Sequence, residues 1–293
     1  MNRILLATDF STRSDRALRR AVLLARQISA EIVLVHVVDD DQPPKLIRVE
    51  ECAAVNLLND LAATLRETDR VHCESHVSCG EPFQVIADEA ERTSADVIVM
   101  GPHRRQALRD VFIGTTIERT IRLSRRPVIM ANAVPAGAYA RVLVATDFSD
   151  CSARSVKDAR KLGLIDHIDV LVLHAFDAPA QSMMMRSSTT IDRSKDYIAE
   201  EEARAAALLS KFVQELDLRP SRRFVQLIEA PVPEMIRDCV RKYKIDLVVI
   251  GTHGRSGPEK FFLGSVAEEV LRDCEADVLV VPDATKSPAH PSQ

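Results

Sequence analysis

The sequence predicts an α/β fold built twice, as two tandem doubly wound domains, each a parallel sheet covered by helices. Three observations predict it. Short apolar, β-branched runs alternate with stretches of helical period along the chain. The same order of runs begins again near residue 141. And segments of the first half return in the second: Ala7-Thr8-Asp9-Phe10-Ser11 as Ala145-Thr146-Asp147-Phe148-Ser149, and Gly101-Pro-His-Arg104 with Gly114-Thr115 as Gly251-Thr-His-Gly254 with Gly264-Ser265. The copies lie 138 residues apart at the first motif and 150 at the second, so the repeat is a whole domain rather than a solenoid unit.

The elements follow in order. Arg3–Thr8 is an apolar run that reads as a buried strand, with Ser11 and Ser14 placed to cap what comes next. Ala17, Leu18, Ala21, Val22, Ala25 and Ile28 recur at three- and four-residue steps and predict an amphipathic helix. Glu31–Val38 is a second strand, rich in β-branched residues. A second helix carries Val49, Cys52, Ala53, Leu57, Leu61 and Leu65. A third strand is expected near Val71–Val77 and a third helix from Pro82, a residue suited to the first helical position. Asp96–Met100 is the fourth strand; a loop and a helix from about Thr115 lead to the fifth, Val128–Met130. In the second half, strands are expected near Arg141–Thr146, Asp169–His174, Phe224–Ile228, Asp246–Ile250 and Val278–Val281. Small residues with Pro135 and Gly137 mark the boundary, giving domains at 1–133 and 140–283. The extra length of the second half is expected in Asp177–Asp196, which holds Met183-Met184-Met185 and reads as a loose connector. The Pro- and Ser-rich tail after Pro282 reads as disordered.

Composition narrows the function classes. The chain has 293 residues, 46% hydrophobic and 28% charged, with a net charge of −4. That balance argues against a dedicated nucleic-acid binder, and no apolar run is long enough to span a bilayer. The N-terminus enters a strand at once, without the pattern of a signal peptide. Six cysteines form no CxxC pair and do not recur between the halves, so they read as reduced thiols in a cytoplasmic protein, with no metal site.

The repeated segments are the ones that carry chemistry. In doubly wound sheets a ligand sits at the carboxyl ends of the strands, where strand order reverses. The end of the first strand and the loop after the fourth would meet there. Gly251 can take backbone angles denied to other residues, Gly254 admits a ligand close to the backbone, and Gly264-Ser265 opens a helix whose N-terminus favours an anion. The Ser265 hydroxyl can donate to that anion or cap the helix. Asp147 is a poor phosphate partner but a suitable acceptor for a base or ribose. The chain contains no P-loop lysine motif, no GxSxG elbow and no HExxH, so no catalytic residue is assigned. His103 and His253 recur inside the loops and read as surface or packing residues; His36 and His174 end equivalent strands and read as structural. Glu200-Glu201-Glu202 reads as the start of a helix.

On Ala-Thr-Asp-Phe-Ser at 7–11 and 145–149, His36-Val37, His174-Ala175 and the loops from Gly101 and Gly251, the chain resembles the universal stress protein family over nearly all its length. The resemblance implies five-stranded parallel sheets in the order 3-2-1-4-5, pairing of the two halves within the chain or of whole chains as a homodimer, and ATP as ligand, with Mg2+ left open. It also implies stress-response regulation, with slow ATP hydrolysis in some members. Gly-x2-Gly-x9-Gly-(Ser/Thr) is the pattern of the ATP-binding members. Carried over by position, Ala145, Thr146 and Asp147 would line the adenine and ribose end, and Ala175, just past the second strand, would offer backbone to the base. Ile250 and Gly251 would lie beside the ribose and phosphates, and Gly254, Gly264, Ser265 and Val266 would hold the phosphates. The first half departs from the pattern: Arg104 stands where the second glycine belongs. Its side chain either blocks the triphosphate or pairs with it, and we expect weakened or altered binding. Ala7, Thr8, Asp9, Val37, Met100, Gly101, Arg104, Gly114 and Thr115 are accordingly provisional contacts. Alternative readings are a nucleotide-independent interaction module of the same fold, or a slow ATP hydrolase.

Overall fold

A computed structural model describes residues 2–102, 115–180, 191–219, 222–254 and 263–282, without the side chains of 191 and 192. The first half runs β1 (Arg3–Ala7), α1 (Ser14–Ile28), β2 (Glu31–Val38), α2 (Pro44–Thr64), β3 (Cys73–Cys79), α3 (Pro82–Arg92), β4 (Val97–Met100), α4 (Thr116–Leu123) and β5 (Val128–Met130). A π-helical turn, Leu65–Asp69, closes α2. The second half repeats the order as β6 (Arg141–Ala145), α5 (Asp150–Lys161), β7 (Asp169–Phe176), α6 (Ile191–Glu215), β8 (Arg222–Leu227), α7 (Val232–Tyr243), β9 (Leu247–Gly251), α8 (Ser265–Asp273) and β10 (Asp277–Val281).

Each half has its strands in the order 3-2-1-4-5, all parallel. The two sheets are not separate. Val128, Ile129 and Met130 of β5 pair antiparallel with Val280, Leu279 and Val278 of β10, so ten strands form one continuous sheet. Strand alternation puts Ile4 and Leu6 on one face and Leu5 on the other. Each face is covered by a core layer that draws residues from both halves: Ile4, Leu34, Val144 and Leu279 on one side, Leu5, Val35, Leu143 and Val280 on the other. The antiparallel join also points the carboxyl ends of the two sets of strands in opposite directions.

A buried ion pair fastens the join. Arg20 on α1 donates to Asp277 at the start of β10 at 2.7 Å, with side chains 4% and 0% exposed. The Tyr139 hydroxyl and the Ala133 N–H donate to the same carboxylate at 2.8 and 2.9 Å, and the Arg20 guanidinium lies 3.9 Å over the Tyr139 ring. Arg20 also donates to the Gly137 carbonyl, so the connection between the halves packs into the seam instead of spanning it loosely.

Several elements differ from their sequence outlines for physical reasons. In α2 the residues buried against the sheet are Ala54, Leu58, Ala62 and, just after it, Leu65; Val49, Cys52, Ala53 and Leu57 face outward. The helix rotates its small side chains inward so that it can lie close on β2 and β3. Ile191–Asp196, expected in the loose connector, is the opening of α6, so Glu200–Glu202 falls inside that helix rather than at its start. Met183–Met185 and the tail after Pro282 lie outside the described residues. All six cysteines are free thiols, and no helix among the described residues is long and apolar enough to cross a membrane.

Candidate functional site

The order 3-2-1-4-5 reverses between the first and fourth strands of each half, so the crevice opens beyond β6 and β9 in the second half and beyond β1 and β4 in the first. β6 ends at Ala145. The chain then turns through Phe148, which holds φ +64°, and enters α5 at Asp150, capped by the Ser149 side chain. Three interactions hold this turn. The Thr146 hydroxyl accepts from the Phe148 N–H at 3.0 Å. Asp147 Oδ1 accepts from the Ser149 N–H at 3.1 Å and from its hydroxyl at 2.6 Å. His174 Nδ1 donates to the Thr146 carbonyl at 2.8 Å, while its ring lies 4.0 Å from that of Phe148. The first half repeats the turn, with Phe10 at φ +57°, the Ser11 N–H on Asp9, and His36 donating to the Thr8 carbonyl at 2.8 Å. But α1 begins only at Ser14 behind Arg13 and, against the sequence expectation for Ser11 and Ser14, has no side-chain cap. The two histidines are therefore struts that fix the left-handed phenylalanine and the aspartate before it.

Across the crevice, the loop after β9 comes back onto that aspartate. A Cβ added to Gly254 would fall 2.8 Å from Asp147 Oδ2. The loop base is tied to the next helix, because the Gly264 N–H donates to the Thr252 carbonyl at 2.7 Å. His253 Nδ1 lies 2.9 Å from the Thr252 hydroxyl, which makes it a part of the loop's packing. The end of β6, Gly254 and the N-terminus of α8 thus come together at one end of the sheet, with a glycine where a side chain would press on the Asp147 carboxylate.

Gly251 has a different job from the one its sequence position suggests. Its backbone is not left-handed; instead an added Cβ would lie 2.7 Å from Cys151 Sγ. Gly101 is the same case, with an added Cβ 2.8 Å from the Arg13 carbonyl oxygen. Both glycines let the first turn of a helix press against the end of the fourth strand. Gly264, and not Ser265, is the N-cap residue of α8, and no side chain caps it. Val266 packs against the core, which leaves its backbone alone to face a ligand. Ala175 lies within β7, paired with Gln226, and Ile250 is buried next to the end of β9.

The first half diverges at the helix N-terminus. Thr115 caps α4 in a full capping box: its side chain accepts from the Glu118 N–H, and Glu118 Oε2 accepts from the Thr115 N–H at 2.9 Å. Glu118 is 5% exposed, so a carboxylate is built into the place where the second half offers backbone to an anion. The equivalent Glu268 instead pairs with Arg272 at 3.0 Å. Asp9 is mostly exposed, and Arg13 stands 3.9 Å away. Partial burial raises the Asp9 carboxyl, but hydrogen bonds from Ser11 and Ser14 and the charge of Arg13 outweigh this and hold it below its ordinary value. Ala7, Thr8 and Met100 line the ends of β1 and β4, and Val37 lies in β2 against the core. His103, Arg104 and Gly114 lie outside the described residues.

The model of the universal stress protein family matches residues 1–132 and again 138–282. The chain belongs to the universal stress protein family. This tandem universal stress protein is 23% identical to universal stress protein E of Salmonella typhi, over 98% of this chain and 96% of that one. It is 24% identical to a universal stress protein of Mycolicibacterium smegmatis, over 95% and 96%. Among solved structures, a universal stress protein from Archaeoglobus fulgidus superposes with a TM-score of 0.69 at 19% identity, covering 96% of each chain. A Pseudomonas aeruginosa protein described as functionally unknown gives 0.69 at 20%, covering 97% of this chain and 93% of its own. At that identity the structural likeness speaks for the fold.

Proposed function

We propose that this tandem universal stress protein binds ATP in its C-terminal domain and acts in the cytoplasm as a nucleotide-dependent regulator of the stress response, not as a metabolic enzyme. The observation that carries the reading is Gly254 beside Asp147: the loop after β9 comes back onto the end of β6, and a Cβ at position 254 would lie 2.8 Å from Asp147 Oδ2 and push on that carboxylate. Asp147, oriented by Ser149, is the acceptor for ribose or base hydroxyl and amino groups, with Thr146 and Ala145 beside it. The backbone from Gly251 to Gly254 and the uncapped start of α8 at Gly264, Ser265 and Val266 receive the phosphates. Bound ATP supplies a charged, removable group that ties the loop to the sheet, which is a means of regulation. Any Mg2+ in this reading is held mainly by the nucleotide's phosphates.

The first domain supports a second reading for itself, an interaction module without nucleotide. The buried Glu118 carboxylate already satisfies the helix N-terminus and repels a phosphate. ATP titrated into the whole chain by calorimetry is expected to saturate at one equivalent, and Gly254→Arg to abolish that binding with the fold retained. Two equivalents for the native chain, or full-strength binding by Gly254→Arg, would overturn the assignment.

A further inference from the structure

We propose that α2 is the surface through which two copies of this chain associate, the helices packing antiparallel about a two-fold axis at Ala53. Leu46, Val49 and Leu57 are 46%, 65% and 52% exposed, and with the exposed Ala53 they follow one another at steps of three, four and four residues. That spacing makes one apolar stripe along a helix, the pattern by which helices pack in pairs. The stripe lies beside the face that α2 buries against the sheet, so it is additional to what the fold requires.

The second half shows that the fold does not need it. Burial registers the two helices: Ala54, Leu58, Ala62 and Leu65 correspond to Ala205, Leu209, Val213 and Leu216. In that register Val49 and Ala53 become Glu200 and Arg204, which form an ion pair on the surface of α6. Leu46 and Leu57 become Tyr197 and the exposed Leu208, so the second domain breaks the stripe with charge at its two central positions.

A second copy is the occupant that the charges fit. Lys45 and Arg48 stand at the N-terminal end of the exposed side and Asp60 at the C-terminal end. An antiparallel pair centred on Ala53 sets Val49 against Leu57 of the second copy at both ends. It also brings Lys45 and Leu46 to Asp60, while the small Ala53 side chains allow close approach at the axis. The same stripe on a parallel mate would stack like charges. The fifth strand, β5, is already paired with β10 inside this chain and is not free to join a second one. A single helix pair buries less than a standard interface, so the association is weak and concentration-dependent.

Sedimentation of the full chain over about 1 µM to about 1 mM, the range of weak association, reads this directly. The native chain is expected to pass from one to two chains per particle. Val49→Glu/Ala53→Arg, which copies the second domain, is expected to stay single throughout with unchanged circular dichroism. Lys45→Glu should raise the dissociation constant about tenfold or more, and adding Asp60→Lys should restore it. A native chain that stays single at every concentration overturns the proposal, as does a dimer indifferent to the Val49 and Ala53 changes. Recovery of a different protein on this face with the native chain single would likewise overturn it.

Discussion

At the scale of single residues, the glycines separate into two kinds that look alike in the sequence. Gly101 and Gly251 are small because a helix start presses on them, and Gly254 is small because Asp147 lies opposite. The motif spacing made all of them visible as site residues. It could not show which one faces a ligand, since that depends on a loop folding back across the crevice. Phe10 and Phe148 were equally hidden: a left-handed phenylalanine is rare, and it is held by stacking on His36 or His174 together with the hydrogen bond of its N–H to the preceding threonine hydroxyl. The buried thiols lead to a solution prediction. Burial pushes Cys73 up to about 12 and Cys274 up to about 11. Between the ordinary thiol value near 9 and these values the unfolded chain loses protons that the native chain keeps. Stability is therefore full below about pH 9 and declines as pH rises through that window. Urea unfolding at pH 8 and pH 10 checks this, and Cys73→Ala should make the decline shallower.

At the scale of elements, the alternation of strands and helices along the chain was readable from periodicity, and most ends among the described residues fell within a few residues, whereas the strand order within each sheet came from the family resemblance. What was not readable is how each helix begins. Thr115-x-x-Glu118 and Ser265-x-x-Glu268 are the same capping pattern, yet only the first closes into a box. α8 starts one residue earlier relative to the repeat, which draws Ser265 into the helix and leaves Glu268 to Arg272. Glu118→Ala should therefore cost about 1 kcal/mol, the usual worth of a cap. Glu268→Ala should cost roughly 0.5 kcal/mol or less, as an exposed helical ion pair does. Paired denaturant curves would show the difference, and equal losses would mean that the two helix starts are not distinct. The apolar period of α2 was also plain in the sequence, but its facing was not, because Ala54 and Ala62 give no stronger signal than Val49 and Leu57 while lying on the inner side.

At the scale of the molecule, the two five-stranded sheets expected from the sequence are both present, and they join edge to edge into one. Neither three-residue-long β5 nor its partner announces an antiparallel mate, since both read as the last strand of a finished domain. The seam also rests on charge that no local pattern reveals: desolvation raises the Asp277 carboxyl, and Arg20, Tyr139 and Ala133 act against that rise. Arg20→Ala leaves this carboxylate buried without its cation and is expected to cost about 3–5 kcal/mol. Thermal unfolding would register it as a large drop or as separate melting of the two halves, whereas an unchanged transition would show that the pair does not hold the seam.

The Arg20–Asp277 pair occurs once. Carried across the repeat, its positions fall on Asp158 and Pro127, which cannot form it. A symmetric assembly of two identical polypeptides must accept every substitution in duplicate, on both sides of its axis. Here the short covalent bridge keeps each half permanently at high effective concentration beside a partner that differs from it. One half can then change while the other stays as it is, and the seam between them is always made of the two different halves. Divergence of the two crevices, at opposite ends of the strands, is the freedom that such a tether confers.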